Sequence, residues 1–328
     1  MRRGVGILAV VLFAAAALLA GVLRPVDPTG APRVVIIPPG TSAAEIGRRL
    51  EAAGLVRRAS DVVLVARALG LTRALQEGEY LLSPASGVVE IVTTISRGDV
   101  LLHAVTIPEV FTAEEIAQTM AARGLGDRGQ LLELVRAGAS HYDYEFLRAA
   151  RIASLEGYLF PDTYRLPRHW REREIVRQFL DRFAEVVVPR WQARGAGRTL
   201  HEIVTMASLV EREAQVAAER PLIAGVLYNR LRRGLRLEVD ATVLYALGRH
   251  KNVVTFDDLT VDSPYNTYRY PGLPPGPIAN PGLPAIEAAL NPASTDYLYY
   301  VAKPDGSHAF SRTFEEHLAA IRRYQRRP

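Results

Sequence analysis

Across 328 residues the chain carries 48% hydrophobic and 23% charged side chains, an ordinary globular balance with room for one large or two modest domains. It has no cysteine, which excludes disulfides, thiolate metal sites, cysteine nucleophiles and a lipidated cysteine anchor. The net charge of +5 comes from arginines spread along the chain, with Lys251 and Lys303 the only lysines, and that spread is not the footprint of a nucleic-acid binder.

Arg2 and Arg3 precede Gly4–Leu23, twenty residues without a charge. At about 1.5 Å per residue such a stretch spans about 30 Å, the hydrocarbon thickness of a bilayer. It is longer than the roughly 7–15-residue apolar core of a secretory signal. Residues 1–24 therefore read as a cytoplasmic N-terminus and a retained transmembrane anchor. The Arg2 and Arg3 bias puts the bulk of the chain on the extracytoplasmic side of the plasma (inner) membrane. Residues 25–32 are a short linker rich in proline.

A repeat follows. Ile37-Pro38-Pro39, Ser42, Glu45-Ile46 and Gly54-Leu55 recur seventy residues later as Ile107-Pro108-Glu109, Thr112, Glu115-Ile116 and Gly124-Leu125. Each copy predicts a strand, a turn, a capping box, one amphipathic helix and a glycine stop. The first copy, with a strand near Glu79–Leu82, a helix over Val88–Ser96 and a strand over Leu101–Ile107, makes a small α/β module over 33–103. The remainder, 104–328, reads as a larger, mostly helical domain with a few strands, so the expected class is α+β. Gly124, Gly126 and Gly129 match G-x-G-x-x-G, but they follow a helix, so the dinucleotide reading fails and a second helix near Gln130–Arg136 is expected.

Leu155–Tyr164 (LEGYLFPDTY) mixes aromatics with Glu156 and Asp162. It reads either as a packed loop or as a cleft wall in which Tyr164 and its neighbours stack on sugar rings while the carboxylates bind hydroxyls. Residues 171–194 look like one amphipathic helix, and 195–198 a turn.

Thr199 and Glu202 have the capping-box spacing, so a helix begins there. On a wheel, Leu200, Ile203, Val204, Met206, Ala207, Val210 and Ala214 form an apolar arc, with His201, Thr205, Ser208 and Arg212 opposite. Glu211 falls inside the arc and Glu213 at its edge. A carboxyl among apolar groups has its charged form disfavoured, which is the state a general acid needs. The alternative is a glutamate bridged to one of the many arginines. A second helix is expected from about Glu219 to Arg232, and a short one from Asp240 that carries Tyr245.

Residues 262–284 are too dense in proline and glycine for helix or central strand, yet too apolar for a solvated linker. They read as an ordered loop rimming a cleft, with Asn266, Thr267 and Tyr268 as its polar groups. Tyr297–Ala302 and His308–Ser311 flank Lys-Pro-Asp-Gly-Ser, a hairpin, and Thr313 with Glu316 caps a final helix. His308 reads as structural or as facing the cleft.

Other signatures are missing: His201-Glu202 is not followed by a histidine at zinc-helix spacing, and there is no G-x-S-x-G elbow or P-loop. Three blocks carry a resemblance. ASLVERE with ERPLIAGVLYNRLRRGLRLEVDATVLYALG, LEGYLFPDTY, and SPYNTYRYPGLPPGPIANPG resemble the YceG-like family, the endolytic murein transglycosylases, over roughly residues 33–328. The resemblance implies that Glu211 is the catalytic acid and that Asn229 and Asp240 lie near the active site, although both residue types also cap helices. It implies a LysM-like, glycan-binding first module. The implied reaction cuts the MurNAc–GlcNAc bond within nascent peptidoglycan strands and leaves 1,6-anhydro ends. Glu211 would serve first as acid, then as base, with no cofactor and no metal. Partners implied are glycan strands and the peptidoglycan synthases, not nucleic acid. A muramidase-type hydrolase using Asp240, Glu156 or Asp162 as second carboxylate, or a non-catalytic glycan-binding scaffold, are the alternatives.

Overall fold

The computed structural model describes residues 21–325 apart from 150, 151, 196, 249, 250 and 252. The expected anchor over Gly4–Leu23 thus lies almost wholly outside the described residues. Among those residues no helix is long and apolar enough to cross a membrane. Helices dominate, with three two-stranded sheets, an α+β composition. The chain divides into two compact units: one runs to Ala104 and includes Arg165–Trp170, and the other comprises Val105–Tyr164 and the chain from Arg171 onward.

The first unit contains β1 (Arg33–Ile37), α1 (Ala43–Ala52), α2 (Ala59–Ala68), β2 (Gly78–Leu82) and α3 (Val88–Arg97). β1 and β2 are antiparallel, with Val35 opposite Tyr80. Strand period decides their faces: Val35 and Ile37 enter the core, while Val34 and Ile36 are 51% and 62% exposed. Helix α1 starts where Ser42 accepts the Glu45 N–H, and its Ile46 and Leu50, four apart, share the buried face. Helix α2 has no counterpart in the sequence reading. Its N-cap is Arg58, which makes no capping bond, so the chain offers no start signal there. Gly98 ends α3 in the left-handed region, φ 69°, where a Cβ would meet the Gln76 amide. The buried Tyr80 hydroxyl finds the carbonyls of Gln76 and Ile95. Glu79 takes His103 at 2.6 Å and Arg168 at 3.4 Å, and Arg168 belongs to the returning segment Arg165–Trp170.

β3 (Leu102–Thr106) pairs with β4 (Thr163–Pro167), and the unit boundaries fall within these strands. The second unit holds α4 (Ala113–Ala122), α5 (Arg128–Arg136), α6 (Glu145–Ala149), α7 (Glu172–Val186), α8 (Val188–Arg194), α9 (Leu200–Glu213), α10 (Arg220–Arg232), α11 (Asp240–Leu247), α12 (Leu283–Leu290), the hairpin β5 (Tyr299–Ala302) and β6 (His308–Ser311), and α13 (Phe314–Tyr324). The repeat holds in geometry. Thr112 and Glu115 close a full capping box, and Gly54 and Gly124 have φ 67° and 68°. The copies differ at the turn, where Pro39 and Gly40, φ 71°, are matched by Glu109 and Val110, φ 75°, and at the cap, where in the first copy only the Ser42 side chain takes the Glu45 N–H. A β-branched residue such as Val110 is strained at that φ by about 1–3 kcal/mol.

The single helix expected over 171–194 is two. Pro189 sits in the first turn of α8, and a proline has no N–H to continue the ladder of α7. Capping boxes at Thr199 and Thr313 form as expected. In the hairpin, Ala302 stands opposite His308.

Candidate active site

Helix α9 is the centre of the second unit. Its Thr199 cap is closed by Glu202, and Ile203 through Glu211 are buried without a break. The wheel's polar side is not a solvent face: Thr205 and Ser208 are 1% and 0% exposed. For Ser208 the reason is the proline-rich segment, whereas the buried Thr205 Oγ1 has no hydrogen-bond partner among the described residues. Ser208 donates to the Thr205 carbonyl and accepts the Ile278 N–H at 3.1 Å, and His201 Nε2 meets the Pro275 carbonyl at 2.8 Å. Backbone groups from 275–282 thus satisfy polar groups that would otherwise need water.

Glu211 is 5% exposed. Its Oε1 accepts from Arg220 at 3.2 Å and its Oε2 from the Gly282 N–H at 3.1 Å. Burial and the nearby negative charge of Glu109 push its pKa up, while the Gly282 N–H and Arg220 oppose the rise. Glu109 reaches the same Arg220 at 3.7 Å. A Cβ on Gly282 would meet the Glu109 carboxyl and displace that side chain from its present place. Sequence reading missed Glu109 and Arg220. The departure of the second repeat copy at Glu109-Val110 was the available signal.

Two residues on, Glu213 points elsewhere. It lines a cavity of about 720 Å³ together with Asp240, Tyr268, Tyr300, His308 and Arg230. The Tyr300 hydroxyl donates to Glu213 Oε2 at 2.9 Å. Burial foremost, and the charge of Asp240, raise the Glu213 pKa; the Tyr300 hydrogen bond, His308 and Arg212 pull it down. Asp240 accepts the Tyr268 hydroxyl at 2.5 Å. His308 Nδ1 is held by Glu219 at 2.7 Å, and its ring stands edge-on to Tyr300 with centroids 5.4 Å apart. Tyr300 and Glu219 were not among the sequence's candidates; Tyr300 stands on β5, and only the hairpin's fold against α9 gives it a role.

The other predicted residues separate. Asp240 and Tyr268 join Glu213 in the cavity. Glu156 is 6% exposed and lines a smaller cavity instead; its Oε1 takes the Ala113 N–H and the Asn280 amide, both at 2.9 Å. Asp162 pairs with Arg182 at 2.7 Å. Tyr164 is buried with its hydroxyl on the Phe160 carbonyl and its ring edge-on to Phe179. The Asn229 amide donates to the carbonyls of Thr295 and Tyr297. Asn266, 0% exposed, donates to Leu259 and Val261 and accepts the Tyr268 N–H. These last four hold the fold together through internal partners. The loop 262–284 contributes only Tyr268 to the large cavity, whose far wall is the β5–β6 hairpin and α13.

Among the described residues no group of three or more His, Asp or Glu side chains gathers as a metal site. What the cavity does offer is a carboxyl held toward its acid form beside a phenol and a second carboxylate. That set can deliver a proton to a leaving oxygen and accept one back.

Residues 35–323 match the YceG-like family. Over 172 residues, 52% of this chain and 48% of the relative, the chain is 46% identical to an endolytic murein transglycosylase of Bacillus subtilis. Over 327 residues it is 32% identical to an endolytic murein transglycosylase of Streptococcus pneumoniae serotype 2, covering 90% of this chain and 59% of that protein. A crystal structure of a YceG-like protein from Listeria monocytogenes superposes with a TM-score of 0.58 at 34% identity, over 89% of this chain and 99% of that one. The chain thus spans between 48% and 59% of the length of these curated relatives.

Proposed function

The chain belongs to the YceG-like family, and from that premise we propose that it is an endolytic peptidoglycan transglycosylase; against the family resemblance, which implies Glu211, we propose from the cavity geometry that its acid is Glu213. The observation that carries the reading is the placement of Glu213: it lines the large cavity, bonded by Tyr300 and beside Asp240. The pKa of Glu211 is also raised, first by burial, but Glu211 lines neither cavity, and it is held by Arg220 and Gly282.

In the proposed reaction, neutral Glu213 protonates the glycosidic oxygen between N-acetylmuramic acid and N-acetylglucosamine as that bond breaks. Positive charge develops at C1 of the muramic acid, and the Glu213 carboxylate, now stabilised by the Tyr300 hydroxyl, faces it. The carboxylate then takes the proton of the same sugar's 6-hydroxyl, whose oxygen closes on C1. The product is a 1,6-anhydro end, and no water is consumed. Asp240 sustains the acid form of Glu213 by charge repulsion and is itself fixed by Tyr268. Its presence in the same cavity favours one rival, hydrolysis with Asp240 activating water.

We propose further that the apolar stretch Gly4–Leu23 anchors the protein in the plasma membrane with its catalytic unit outside. The first module, with its order β1-α1-α2-β2, is read as LysM-like and binds glycan, and the peptidoglycan synthases are proposed partners. Mass spectrometry of uncrosslinked strands after digestion tests the chemistry. Ends one water lighter than a reducing muramic acid are expected; ordinary reducing ends mean hydrolysis. Glu213→Gln lowers the rate by about 10²-fold or more, and Glu211→Gln stays within about tenfold of wild type. The reverse pattern returns the role to Glu211.

A further inference from the structure

A second cavity, about 240 Å³, adjoins the first: Arg212, Ala241 and Leu244 line both. We propose that this smaller cavity receives the acidic peptide branch borne by the muramic acid of the substrate, an inference that rests on the reading of the larger cavity as a peptidoglycan cleft.

Its walls differ from those of the large cavity. There aliphatic residues such as Leu237, Leu298 and Ile321 are interleaved with Tyr268, Tyr299, Tyr300 and acidic groups, suited to sugar faces and hydroxyls. Here Leu132, Val135, Leu244 and Ile278 make an aliphatic wall, and two guanidinium groups, Arg136 and Arg212, stand on it. Neither has a hydrogen-bond or ion-pair partner among the described residues. Glu114, on the same wall, is already neutralised by Arg128. A neutral saccharide can accept hydrogen bonds from these two cations but brings them no opposite charge, and Arg212 otherwise feels the charge of Glu213. A short peptide whose alkyl side chains meet the aliphatic wall and whose carboxylates meet the arginines answers both features. The space, worth about eight waters of liquid volume, holds a short segment and not a folded chain.

Glu156 completes the cavity. Its Oε1 is fully occupied by Ala113 and Asn280, whereas its Oε2 has longer contacts, 3.2 Å to the Ala113 N–H and 3.4 Å from the Tyr245 hydroxyl. Burial pushes its pKa up to about 7. Near neutral pH its protonated form can donate to a peptide carbonyl, and its ionised form can accept an amide N–H. Arg212 precedes Glu213 in sequence and stands between the two cavities. A peptide carboxylate on Arg212 therefore registers its own sugar against the acid.

The test uses the full chain in detergent micelles. Glycan strands of matched length are offered with peptides intact or removed by an amidase. Wild type is expected to have the higher kcat/KM on peptide-bearing strands. Arg136→Ala lowers the ratio of the two kcat/KM values about three- to five-fold, the loss expected for one solvent-reachable charged contact, and Arg136→Lys recovers part of it. Equal kcat/KM on both substrates in wild type, or a ratio untouched by Arg136→Ala, overturns the proposal. Absence of cleavage of either substrate counts against the proposed reaction instead, and calorimetric titration of a muramyl dipeptide into the Glu213→Gln chain then decides. Binding weakened by Arg136→Ala upholds the peptide site; no binding, or binding indifferent to Arg136, refutes it.

Discussion

Glu156→Gln is expected to invert its effect on stability across the pH range. In the folded protein the Glu156 pKa is raised from 4.5 to about 7, chiefly by burial, against the opposing hydrogen bonds of Ala113, Tyr245 and Asn280. A raised carboxyl pKa means that the folded state holds a proton which the unfolded state has lost. Stability from this group is therefore fully present below pH 4.5 and drains away as pH rises to about 7. Two and a half units at about 1.36 kcal/mol each amount to about 3 kcal/mol between acid and neutral conditions. Glutamine cannot titrate, and the site accommodates it. Its carbonyl replaces Oε1, accepting from Ala113 and Asn280, and its NH₂ replaces Oε2 and faces the Tyr245 oxygen. At pH 4.5 the variant should match wild type or fall slightly below it. At pH 8 it should be the more stable by about 2–3 kcal/mol, since it spares the burial of a charge. The assay is chemical denaturation of both proteins at half-unit intervals, followed by tryptophan fluorescence, comparing midpoints. Parallel curves at all pH values would refute the reasoning, because they would mean that Glu156 titrates alike folded and unfolded.

Three further outcomes are expected. Arg220→Ala leaves Glu211 and Glu109 facing each other without a cation and should cost about 3 kcal/mol in thermal or chemical unfolding, whereas Glu211→Gln, which keeps the Gly282 contact, should cost less than half of that. In the proposed reaction the alkaline limb of the pH–rate profile reports loss of the Glu213 proton: Asp240→Asn removes a charge that raises its pKa and should move that limb to lower pH, and Tyr300→Phe removes a bond that lowers it and should move the limb to higher pH. Val110→Gly relieves about 1–3 kcal/mol of left-handed strain and adds about 0.5–1 kcal/mol of backbone entropy cost, so its thermal midpoint should hold or rise; a drop equivalent to more than about 2 kcal/mol would show that the valine packing outweighs the strain.

Local signals in the sequence were reliable because they act over three or four residues. The boxes Thr112–Glu115, Thr199–Glu202 and Thr313–Glu316 are each closed by their own side chains, and no distant group is needed to form them. The hairpin after Lys303 and the glycine stops at Gly54 and Gly124 belong to the same class. Where a helix lacked such a signal, as α2 does behind Arg58, it went unread. Asp162, Tyr164, Asn229 and Asn266 were sensible polar candidates, yet each is consumed by partners that no spacing reveals: Arg182, the Phe160 carbonyl, the 295–297 backbone and the 259–261 backbone.

The family and the ordered blocks that carry it were legible from residues alone, as was the placement of Glu211 among apolar neighbours. Which of the two glutamates meets the cavity was not. Side chains two apart on a helix point about 200° from one another, so one carboxylate faces in and the other out, and a wheel identifies the inward one only if the opposite face is wet. Here it is not. A proline-rich segment some seventy residues downstream bonds to Ser208, α12 and α10 pack against the same helix, and the hairpin brings Tyr300 to Glu213. The direction of each carboxylate was decided by contacts far apart in the chain, and those exist only once the tertiary structure has formed.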